Sequence, residues 1–252
     1  MTYRTALITG ASAGIGRGLA ERLAARGTTV AIVARRLELL DEVRSAIERA
    51  GGKAVCVPVD VSKADDIVAA VERVATDLDG LDLVVANAGI AGAIHSRDIT
   101  WAKVGPLLQL NVLGAIATLC AAIPGMVARG RGHLAGVSSL AGIRGLPKTA
   151  PYSSSKAALS TFLESLYVDF HGSGIDVTDI RPGYVRTDLT ANRPYKMPML
   201  MELPDALDRI VAGLDARDPI VAFPTRLASA LYATRLLPQR AFGPIARRLV
   251  RR

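Results

Sequence analysis

TALITGASAGIG, residues 5–16, is the stretch that decides the fold of this 252-residue chain. Thr5–Thr9 has the apolar pattern of a buried strand, and a helical pattern from residue 15 to 26 follows a glycine-rich turn. Such a turn lets the backbone approach a phosphate group, whose charge the helix N-terminus favours. The spacing Gly-x-x-x-Gly-x-Gly departs from the usual Gly-x-Gly-x-x-Gly dinucleotide fingerprint, so simple turn chemistry is the alternative interpretation. The residues predicted to line a dinucleotide pyrophosphate are Gly10, Ser12, Ala13, Gly14, Ile15 and Gly16.

Apolar strand-like segments alternate with helical ones through the first 220 residues. The predicted strands are Thr5–Thr9, Thr29–Val33, Ala54–Val59, Leu81–Ala86, His133–Val137, Asp176–Ile180 and Ile220–Phe223. The predicted helices lie near residues 15–26, 37–50, 63–78, 100–128, 152–171 and 204–215. This alternation predicts an α/β fold of the Rossmann type, doubly wound, with a mostly parallel sheet covered by helices on both faces. With no repeat and no low-complexity linker, we expect one catalytic domain over residues 1–223.

Two segments depart from this alternation. Residues 188–203 carry prolines and the methionines at 197, 199 and 201 without a strand or helix pattern, which favours a mobile apolar substrate loop. The alternative is a surface connection that packs on the core. Residues 224–252 form an Arg-rich tail with two short helical patterns, which we expect to pack on the domain.

The positive charge of the chain is concentrated at its C-terminal end. The formal net charge is +8, and Pro219–Arg252 contains seven arginines and no acidic residue. No basic patch interleaved with aromatic residues accompanies them, so nucleic-acid binding is disfavoured. Arg-rich amphipathic helices can also lie on anionic lipid, and membrane-surface contact is the less favoured alternative to a tail that covers the domain or a subunit interface.

No charged residue occurs between Lys103 and Arg129, a run long enough to span a bilayer. Glycine, proline and amide residues interrupt the run, so we expect a buried helix that packs on neighbouring helices or on a second subunit. Cys56 and Cys120 also lie in apolar runs, and we expect both to be buried rather than paired in a disulfide. The chain opens on an apolar run too short for a signal peptide, which together with the few cysteines predicts a cytoplasmic protein.

The end of the second predicted strand bears on the choice of cofactor. It reads Val33-Ala34-Arg35-Arg36, with no carboxylate before Glu38. An acidic residue there would bind the ribose hydroxyls of NAD, whereas arginine accommodates the additional phosphate of NADP. Arg35 and Arg36 therefore predict NADP(H) in preference to NAD(H), against the alternative of solvated arginines at a helix start.

A tyrosine and a lysine four residues apart, Tyr152 and Lys156, fall on one helical face. A nearby ammonium favours the phenolate and brings a phenol closer to working pH as a general acid or base. Ser139, expected at the mouth of the preceding strand, can bind a substrate carbonyl. Such a pair is common on helix surfaces, and only its combination with the phosphate-binding turn indicates a nicotinamide-dependent oxidoreductase. The histidines at 95, 133 and 171 show no metal-ligand spacing, so no metal site is predicted.

Taken together, these motifs resemble the short-chain dehydrogenase/reductase family over residues 4 to about 188. The matching elements, in the family's order and spacing, are the glycine motif at 9–16, Asp60-Val61, Asn87-Ala88-Gly89, Asn111, Ser139, Tyr152-x-x-x-Lys156 and Pro182-Gly183-x-Val185-x-Thr187. The family usually reads Asn-Asn-Ala-Gly where this chain has Ala86 before Asn87, and we expect only a small local effect.

The resemblance implies catalytic roles for four residues. Tyr152 would donate a proton to a carbonyl oxygen while NADPH delivers hydride to the carbon. Lys156 would bind the nicotinamide ribose and assist the tyrosine. Ser139, rather than Ser138 beside it, would orient the carbonyl, and Asn111 would hold a water that links the lysine to bulk solvent.

The resemblance also implies cofactor contacts. Asp60, with Val61 after it, would hold the adenine, and Asn87-Ala88-Gly89 would shape the floor of the cofactor site. Pro182, Gly183, Val185 and Thr187 would flank the nicotinamide and its carboxamide.

The resemblance thus predicts an NADP(H)-dependent carbonyl reductase or alcohol dehydrogenase, and the apolar loop at 188–203 favours a lipophilic substrate. One alternative is a reductase of an acyl group bound to a carrier protein, whose acidic surface would meet the Arg-rich tail. The other is a catalytically idle NADP-binding interaction or regulatory protein. The helices near 100–128 and 152–171 resemble the family's dimer-forming pair, so we expect a homodimer or homotetramer.

Overall fold

The computed structural model describes residues 3–191 and 197–250, with side chains described as far as Ala246. Its strands are β1 (Thr5–Thr9), β2 (Thr29–Ala34), β3 (Lys53–Pro58), β4 (Leu83–Ala86), β5 (Gly132–Val137), β6 (Ile175–Pro182) and β7 (Ile220–Phe223). Its helices are α1 (Gly14–Ala25), α2 (Leu37–Arg49), α3 (Ala64–Asp77), α4 (Trp101–Leu108), α5 (Ala115–Arg129), α6 (Ala150–Asp169), α7 (Asp188–Ala191), α8 (Leu203–Ala216), α9 (Thr225–Thr234) and α10 (Gln239–Val250).

The strands form one parallel sheet in the order β3-β2-β1-β4-β5-β6-β7. The chain winds outward in one direction from β1 to β3, crosses back, and winds in the other direction from β4 to β7. The carboxyl ends of β1 and β4 therefore form the topological switch point, where doubly wound sheets bind their ligands. The predicted Rossmann-type fold is confirmed.

Helices cover both faces of the sheet, as predicted. One face packs on α1, α2 and α8, with Leu19 and Ile210 in its core, and the other packs on α3, α5 and α6, with Leu119 and Leu159 in its core. Because β1 is covered on both faces, all five of its residues are buried, which explains the apolar run Ala6 to Ile8 at its centre. The edge strand β3 is mostly exposed or half-buried because it has a neighbour on one side only.

The uncharged run predicted as one helix near 100–128 is divided. A π-helical turn, Gln109–Gly114, separates α4 from α5. Pro106 has no N–H to donate inside α4, and Asn111 in the wide turn is anchored by side-chain hydrogen bonds to the loop at residue 90. Within the described residues, Trp101–Arg129 is the helical run long and apolar enough to cross a membrane, with a mean hydropathy of 1.9 and 39% of its most apolar window buried.

The expectation that both cysteines are buried is wrong for Cys120, which is exposed, while Cys56 is half-buried. Cys120 lies on the face of α5 that points away from the sheet, in a stripe with Leu113 and Val127, whose side chains are 55% and 53% exposed. Apolar sequence alone does not distinguish this outer face from the inner one.

The segment 188–203 has more regular structure than expected. It begins with the short helix α7, and an isolated parallel bridge joins Val185 to Met201, with the N–H of Arg186 donating to the carbonyl of Met201 at 2.9 Å. Thr190 stabilises the α7 turn by accepting from the N–H of Thr187 at 3.0 Å. Residues 192–196 of the predicted loop lie outside the described residues.

The tail forms α9 and α10. Ala228, Leu227 and Leu231 of α9 pack on Leu140 and Ile143, which follow β5. In the next helix Phe242 is buried, and the guanidinium carbon of Arg144 lies 3.9 Å from the centre of its ring. The tail thus lies against the segment just beyond Ser139.

Candidate active site

The glycine turn between β1 and α1 brings backbone atoms closer together than a side chain would allow. Gly10 adopts φ +66°, a left-handed conformation that favours glycine. A Cβ at Gly16 would lie 2.3 Å from the carbonyl oxygen of Gly10, so only glycine fits at this position. α1 begins at Gly14 after Ala13, which has no side-chain oxygen to cap the helix, and its first N–H groups point into the crevice at the switch point. Ser12 and Ile15, the other predicted contacts, are half-buried in this turn.

The end of β4 is fastened to the end of β1. Thr9 Oγ1 accepts hydrogen bonds from the N–H groups of Asn87 and Ala88, each at 3.0 Å. The side-chain nitrogen of Asn87 donates to the carbonyl oxygen of Thr9 at 2.8 Å. Gly89 continues this segment toward the centre of the crevice. The predicted floor residues therefore lie between the glycine turn and the Tyr/Lys pair.

Charged residues meet at the carboxyl ends of β2 and β3. Arg35 and Arg36 are exposed directly after β2. Asp60 accepts from the N–H of Ser62 at 3.0 Å and from its hydroxyl at 2.8 Å. Burial opposes ionisation, but the Ser62 hydrogen bonds and the charges of Arg35 and Lys63 lower the pKa of Asp60 below its ordinary value. The carboxylate is therefore ionised and oriented.

Lys156 is buried under the centre of the crevice, 5% exposed. Its Nζ donates to the carbonyl oxygen of Val137 at 2.8 Å and lies 5.9 Å from the centre of the Tyr152 ring. Burial lowers the pKa of this ammonium to about 8, against a raising effect from the carboxylate of Asp179. The predicted helical pair is thus brought together, and Tyr152 is half-buried.

Asn111 is fully buried in the π turn between α4 and α5. Its side-chain oxygen accepts from the N–H of Ile90, and its nitrogen donates to the carbonyl of Ile90, both at 2.9 Å. The same nitrogen donates to Ser155 Oγ at 3.1 Å. A Cβ at Gly89 would lie 3.2 Å from the Asn111 oxygen and 3.3 Å from Lys156 Nζ, so the backbone of Gly89 passes between the two.

Ser139 caps the short 3₁₀ turn Leu140–Gly142 just after β5. Its Oγ accepts from the N–H of Ala141 at 3.1 Å and donates to the carbonyl of Pro182 at 3.3 Å. Ser138 instead directs its hydroxyl into the protein and donates to the carboxylate of Asp179. The two adjacent serines thus have different environments, as the sequence predicted.

The segment after β6 closes the crevice on its other side. Gly183 donates to the carbonyl of Phe223 at 2.7 Å, and Val185 is buried. Thr187 lies over the glycine turn, because a Cβ at Gly14 would be 3.3 Å from its Cγ2 atom. Pro182 to Thr187 therefore connects the Ser139 side of the site with the phosphate-binding side.

The predicted site residues lie in β6 or in segments that follow the carboxyl ends of strands of the parallel sheet, apart from Asn111 in the π turn and the pair Tyr152 and Lys156 on α6. Sequence reasoning missed Ser155, which bonds Asn111, and the buried pair Asp179 and Arg181. The available signal was Asp179 within, and Arg181 directly after, the segment predicted as a buried strand. No group of three or more His, Cys, Asp or Glu side chains that could hold a metal ion occurs in the described part of the chain.

A family model for short chain dehydrogenases matches residues 4–197, more than three quarters of the chain. This chain belongs to the short-chain dehydrogenase/reductase family. It is therefore an oxidoreductase of that family, as the resemblance predicted.

Relatives of this short-chain dehydrogenase/reductase extend the match to the whole chain. It is 48% identical over 249 residues to an uncharacterised oxidoreductase of Myxococcus xanthus, which covers 99% of this chain and 98% of that one. It is 34% identical to a fatty acyl-CoA reductase of Acinetobacter baylyi over 91% of this chain and 79% of the relative. A short-chain dehydrogenase from Sphingobium yanoikuyae, solved in complex with NADPH, matches 94% of both chains with a TM-score of 0.83 and 27% identity.

Proposed function

We propose that this protein is an NADP(H)-dependent oxidoreductase that interconverts a carbonyl and a secondary alcohol on a lipophilic small molecule. The observation that carries the proposal is the placement of Lys156. Its buried Nζ is held by the carbonyl of Val137, 5.9 Å from the Tyr152 ring, with its pKa lowered to about 8 by burial. A buried ammonium whose pKa is lowered toward working pH, beside a phenol, suits proton transfer.

The crevice fits a dinucleotide. A Cβ at position 16 would meet the Gly10 carbonyl, so the turn keeps an open cradle at the start of α1, where a pyrophosphate would be held. The residues that would hold the cofactor are Gly10, Ser12, Ala13, Gly14, Ile15, Gly16, Arg35, Arg36, Asp60, Val61, Asn87, Ala88, Gly89, Tyr152, Lys156, Pro182, Gly183, Val185 and Thr187. When bound, the nicotinamide supplies or accepts the hydride of the reaction.

Tyr152 is the proposed general acid in reduction and general base in oxidation. Its hydroxyl gives a proton to the substrate oxygen as negative charge develops there. The ammonium of Lys156 favours the phenolate that remains. Ser139 donates a second hydrogen bond to the same oxygen, which requires its hydroxyl to turn from the carbonyl of Pro182.

Asn111 is proposed to connect the lysine with solvent through a water. Gly89 brings its backbone between Asn111 and Lys156, so small polar groups of the 89–90 loop are near both. The side-chain amide of Asn111 is already hydrogen-bonded to Ile90 and Ser155, and these bonds fix the π turn. The water would therefore be held at the π turn itself.

The preference for NADP(H) is proposed from two exposed cations. Arg35 and Arg36 follow β2 beside Asp60, where the adenosine end of the cofactor would lie. Guanidinium groups bind a ribose phosphate bidentately, and the Sphingobium relative was solved with NADPH.

A second candidate substrate is an acyl group carried as a thioester. The likeness to a fatty acyl-CoA reductase favours it, as do the seven arginines and absent acidic residues of Pro219–Arg252, which complement an acidic carrier or phosphate groups. Acyl-CoA substrates compared with the matching free ketones and aldehydes would separate the two candidates by kcat/KM.

A homodimer is proposed from an exposed apolar stripe formed by Leu113 of the π turn with Cys120 and Val127 of α5, beside the exposed Tyr167 and Val168 of α6. Burial of this surface in a partner subunit also accounts for an uncharged run of 25 residues between Lys103 and Arg129 without a membrane, and we propose a cytoplasmic location.

The test is NADPH oxidation with a panel of lipophilic ketones and aldehydes. We expect turnover by the intact chain and loss of about 10³-fold or more in kcat for Tyr152→Phe, with NADPH binding retained. Tight NADPH binding with no turnover on any carbonyl or alcohol would favour the catalytically idle alternative. Full activity in the phenylalanine variant would contradict the role of the phenol.

A further inference from the structure

Two charged residues near the carboxyl end of β6, Asp179 and Arg181, are buried. Asp179 is 3% exposed and Arg181 is 8% exposed. Side chains alternate along a strand, and Val177 of β6 belongs to the core shared with α3, α5 and α6. Asp179 and Arg181 therefore point to the face of the sheet that carries α6 and Lys156.

These residues belong to a continuous chain of hydrogen bonds. Ser138 donates to one carboxylate oxygen of Asp179. Arg181 Nε donates to the other at 2.6 Å, and Arg181 Nη1 donates to the phenol of Tyr232 at 2.5 Å. The chain runs from the end of β5 to helix α9 of the tail, and both oxygens of the buried carboxylate have partners.

The first member of this chain is joined to two parts of the proposed catalytic machinery. Ser138 follows Val137, whose carbonyl accepts from Lys156 Nζ, and precedes Ser139. The three-residue stretch 137–139 therefore holds the ammonium at one end and the carbonyl-orienting hydroxyl at the other. Fixing the side chain of Ser138 fixes the backbone between them.

The last member reaches the same stretch from the other side. Tyr232 lies on α9, which packs through Ala228 and Leu231 on Leu140. Leu140 follows Ser139 directly in the 3₁₀ turn. Helix α9 therefore contacts the neighbourhood of Ser139 both through its apolar face and through Tyr232 and Arg181.

Stability alone is a poor explanation for this buried ion pair. Removing two charges from water costs about as much as their attraction returns, and apolar replacements of similar volume are often as stable or more so. A buried pair that is fully hydrogen-bonded does, however, specify one arrangement of the chain around it.

We propose that Asp179 and Arg181 are positioning residues for the reaction. They hold residues 137–139 in a fixed position relative to Lys156 and connect them to helix α9 through Tyr232. This inference rests on the proposed function. The carboxylate of Asp179 also acts on Lys156 through its negative charge. It raises the pKa of that ammonium, against the lowering effect of burial.

The decisive variant is Asp179→Asn in the full chain, which keeps the size of the side chain and removes its charge. With the protein labelled with carbon-13 at the lysine ε-carbons and Lys156 assigned by comparison with Lys156→Arg, NMR titration gives the pKa of Lys156 directly. We expect it to fall by about one unit or more, because a nearby opposite charge shifts a pKa by about one to three units. With NADPH and a carbonyl substrate, we expect kcat to fall at least about tenfold.

Thr178→Val is the matched control. Thr178 is the adjacent buried residue of β6, but it faces the other side of the sheet and bonds His133 and the carbonyl of Asp218. Removing the Thr178 hydroxyl tests whether the loss of any buried polar group in β6 changes the pKa of Lys156. We expect the Lys156 pKa to stay within about 0.3 unit, a small part of the effect of an opposite charge.

Tyr232→Phe tests the connection to the tail and serves if Asp179→Asn does not fold. It removes one hydroxyl and keeps the ring on α9, so we expect a loss of about threefold in kcat with little change in KM. An unchanged Lys156 titration in folded Asp179→Asn, or kcat within about 1.5-fold of the intact chain in Tyr232→Phe, would overturn the proposal. Should the intact chain turn over no carbonyl, the proposed function fails, and the lysine titration still decides whether Asp179 governs Lys156.

Discussion

Nδ1 of His133 lies 2.7 Å from the phenol oxygen of Tyr3, in a fully buried cluster at the edge of the sheet opposite the crevice. Nε2 of the same ring lies 2.8 Å from Thr178 Oγ1, which itself donates to the carbonyl of Asp218 at 2.7 Å. Thr178 therefore accepts from His133, so the proton of the imidazole is on Nε2 and Nδ1 is an acceptor. Arg217 donates to Nδ1, so a second proton on this ring would break that hydrogen bond and face the charge of the guanidinium.

Stability should consequently decline in mild acid through His133. Burial, reinforced by the charge of Arg217, lowers the pKa of His133 from 6.5 to about 3. The unfolded chain binds a proton at this position below about pH 6.5, while the folded chain resists it until about pH 3, so the stabilising contribution is complete above 6.5 and is lost as the pH falls. The expected slope approaches about 1.4 kcal/mol per pH unit between these values.

Urea unfolding at a series of pH values measures this slope. His133→Gln keeps an amide for hydrogen bonding and removes the titrating ring. The slope of its unfolding free energy against pH should therefore be smaller, by up to about 1.4 kcal/mol per pH unit. His95→Gln, at an exposed histidine, is the matched control for the substitution itself. Equal slopes for the intact chain and His133→Gln would contradict the assignment.

The glycine turn supports a prediction about both folding and binding. In Gly16→Ala the new Cβ would lie 2.3 Å from the carbonyl oxygen of Gly10 and 2.5 Å from the side-chain nitrogen of Asn87. The turn must open, and we expect a loss of about 2–4 kcal/mol in unfolding free energy together with NADPH binding weakened more than about tenfold. Gly92→Ala is the control, because no atom lies within 4 Å of the place its new methyl group would take, and both quantities should stay close to those of the intact chain. Fluorescence titration with NADPH and urea unfolding check the two effects.

The sequence predicts the sheet well because each strand carries its own evidence. β1, covered on both faces, has an apolar centre, Ala6 to Ile8, between two threonines, and that pattern is visible without coordinates. The Tyr152 and Lys156 spacing likewise predicts their meeting, because a helix fixes which residues share a face.

Features that depend on tertiary packing could not be predicted in this way. Nothing in the run after Trp101 shows that Asn111 will occupy a π turn, because its partner Ile90 lies in a separate loop. The exposed position of Cys120 depends on which face of α5 meets the sheet. The pairing of Asp179 with Arg181 is local, but its extension to Tyr232 joins residues 51 positions apart.

Cofactor preference should depend on Arg35 and Arg36. Both are exposed, so their replacement should not disturb the core. In Arg35→Ala/Arg36→Ala we expect KM for NADPH to rise about tenfold to a hundredfold while KM for NADH changes little, since two charge-assisted phosphate contacts are lost. Arg49→Ala, an exposed arginine at the far end of α2, is the matched control for lost charge. Initial rates with each cofactor provide the measurement, and an intact chain that prefers NADH would exclude NADP(H) as its cofactor.

The tail offers a contrast between two apolar residues that tests whether it is part of the folded domain. Phe242 is 5% exposed and stacks with Arg144, whereas Leu236 is 87% exposed. Phe242→Ala should lower the unfolding free energy by about 3–5 kcal/mol, the usual cost of deleting a buried aromatic side chain. Leu236→Ala should lie within about 0.5 kcal/mol of the intact chain, as exposed substitutions do.

Since α9 and α10 pack beside the turn that follows Ser139, Phe242→Ala should also reduce turnover, measured as kcat at a temperature below the unfolding midpoint of the variant. A tail that unfolds in a separate early transition, with no effect of Phe242→Ala on the main one, would show instead that its packing contributes nothing to the domain.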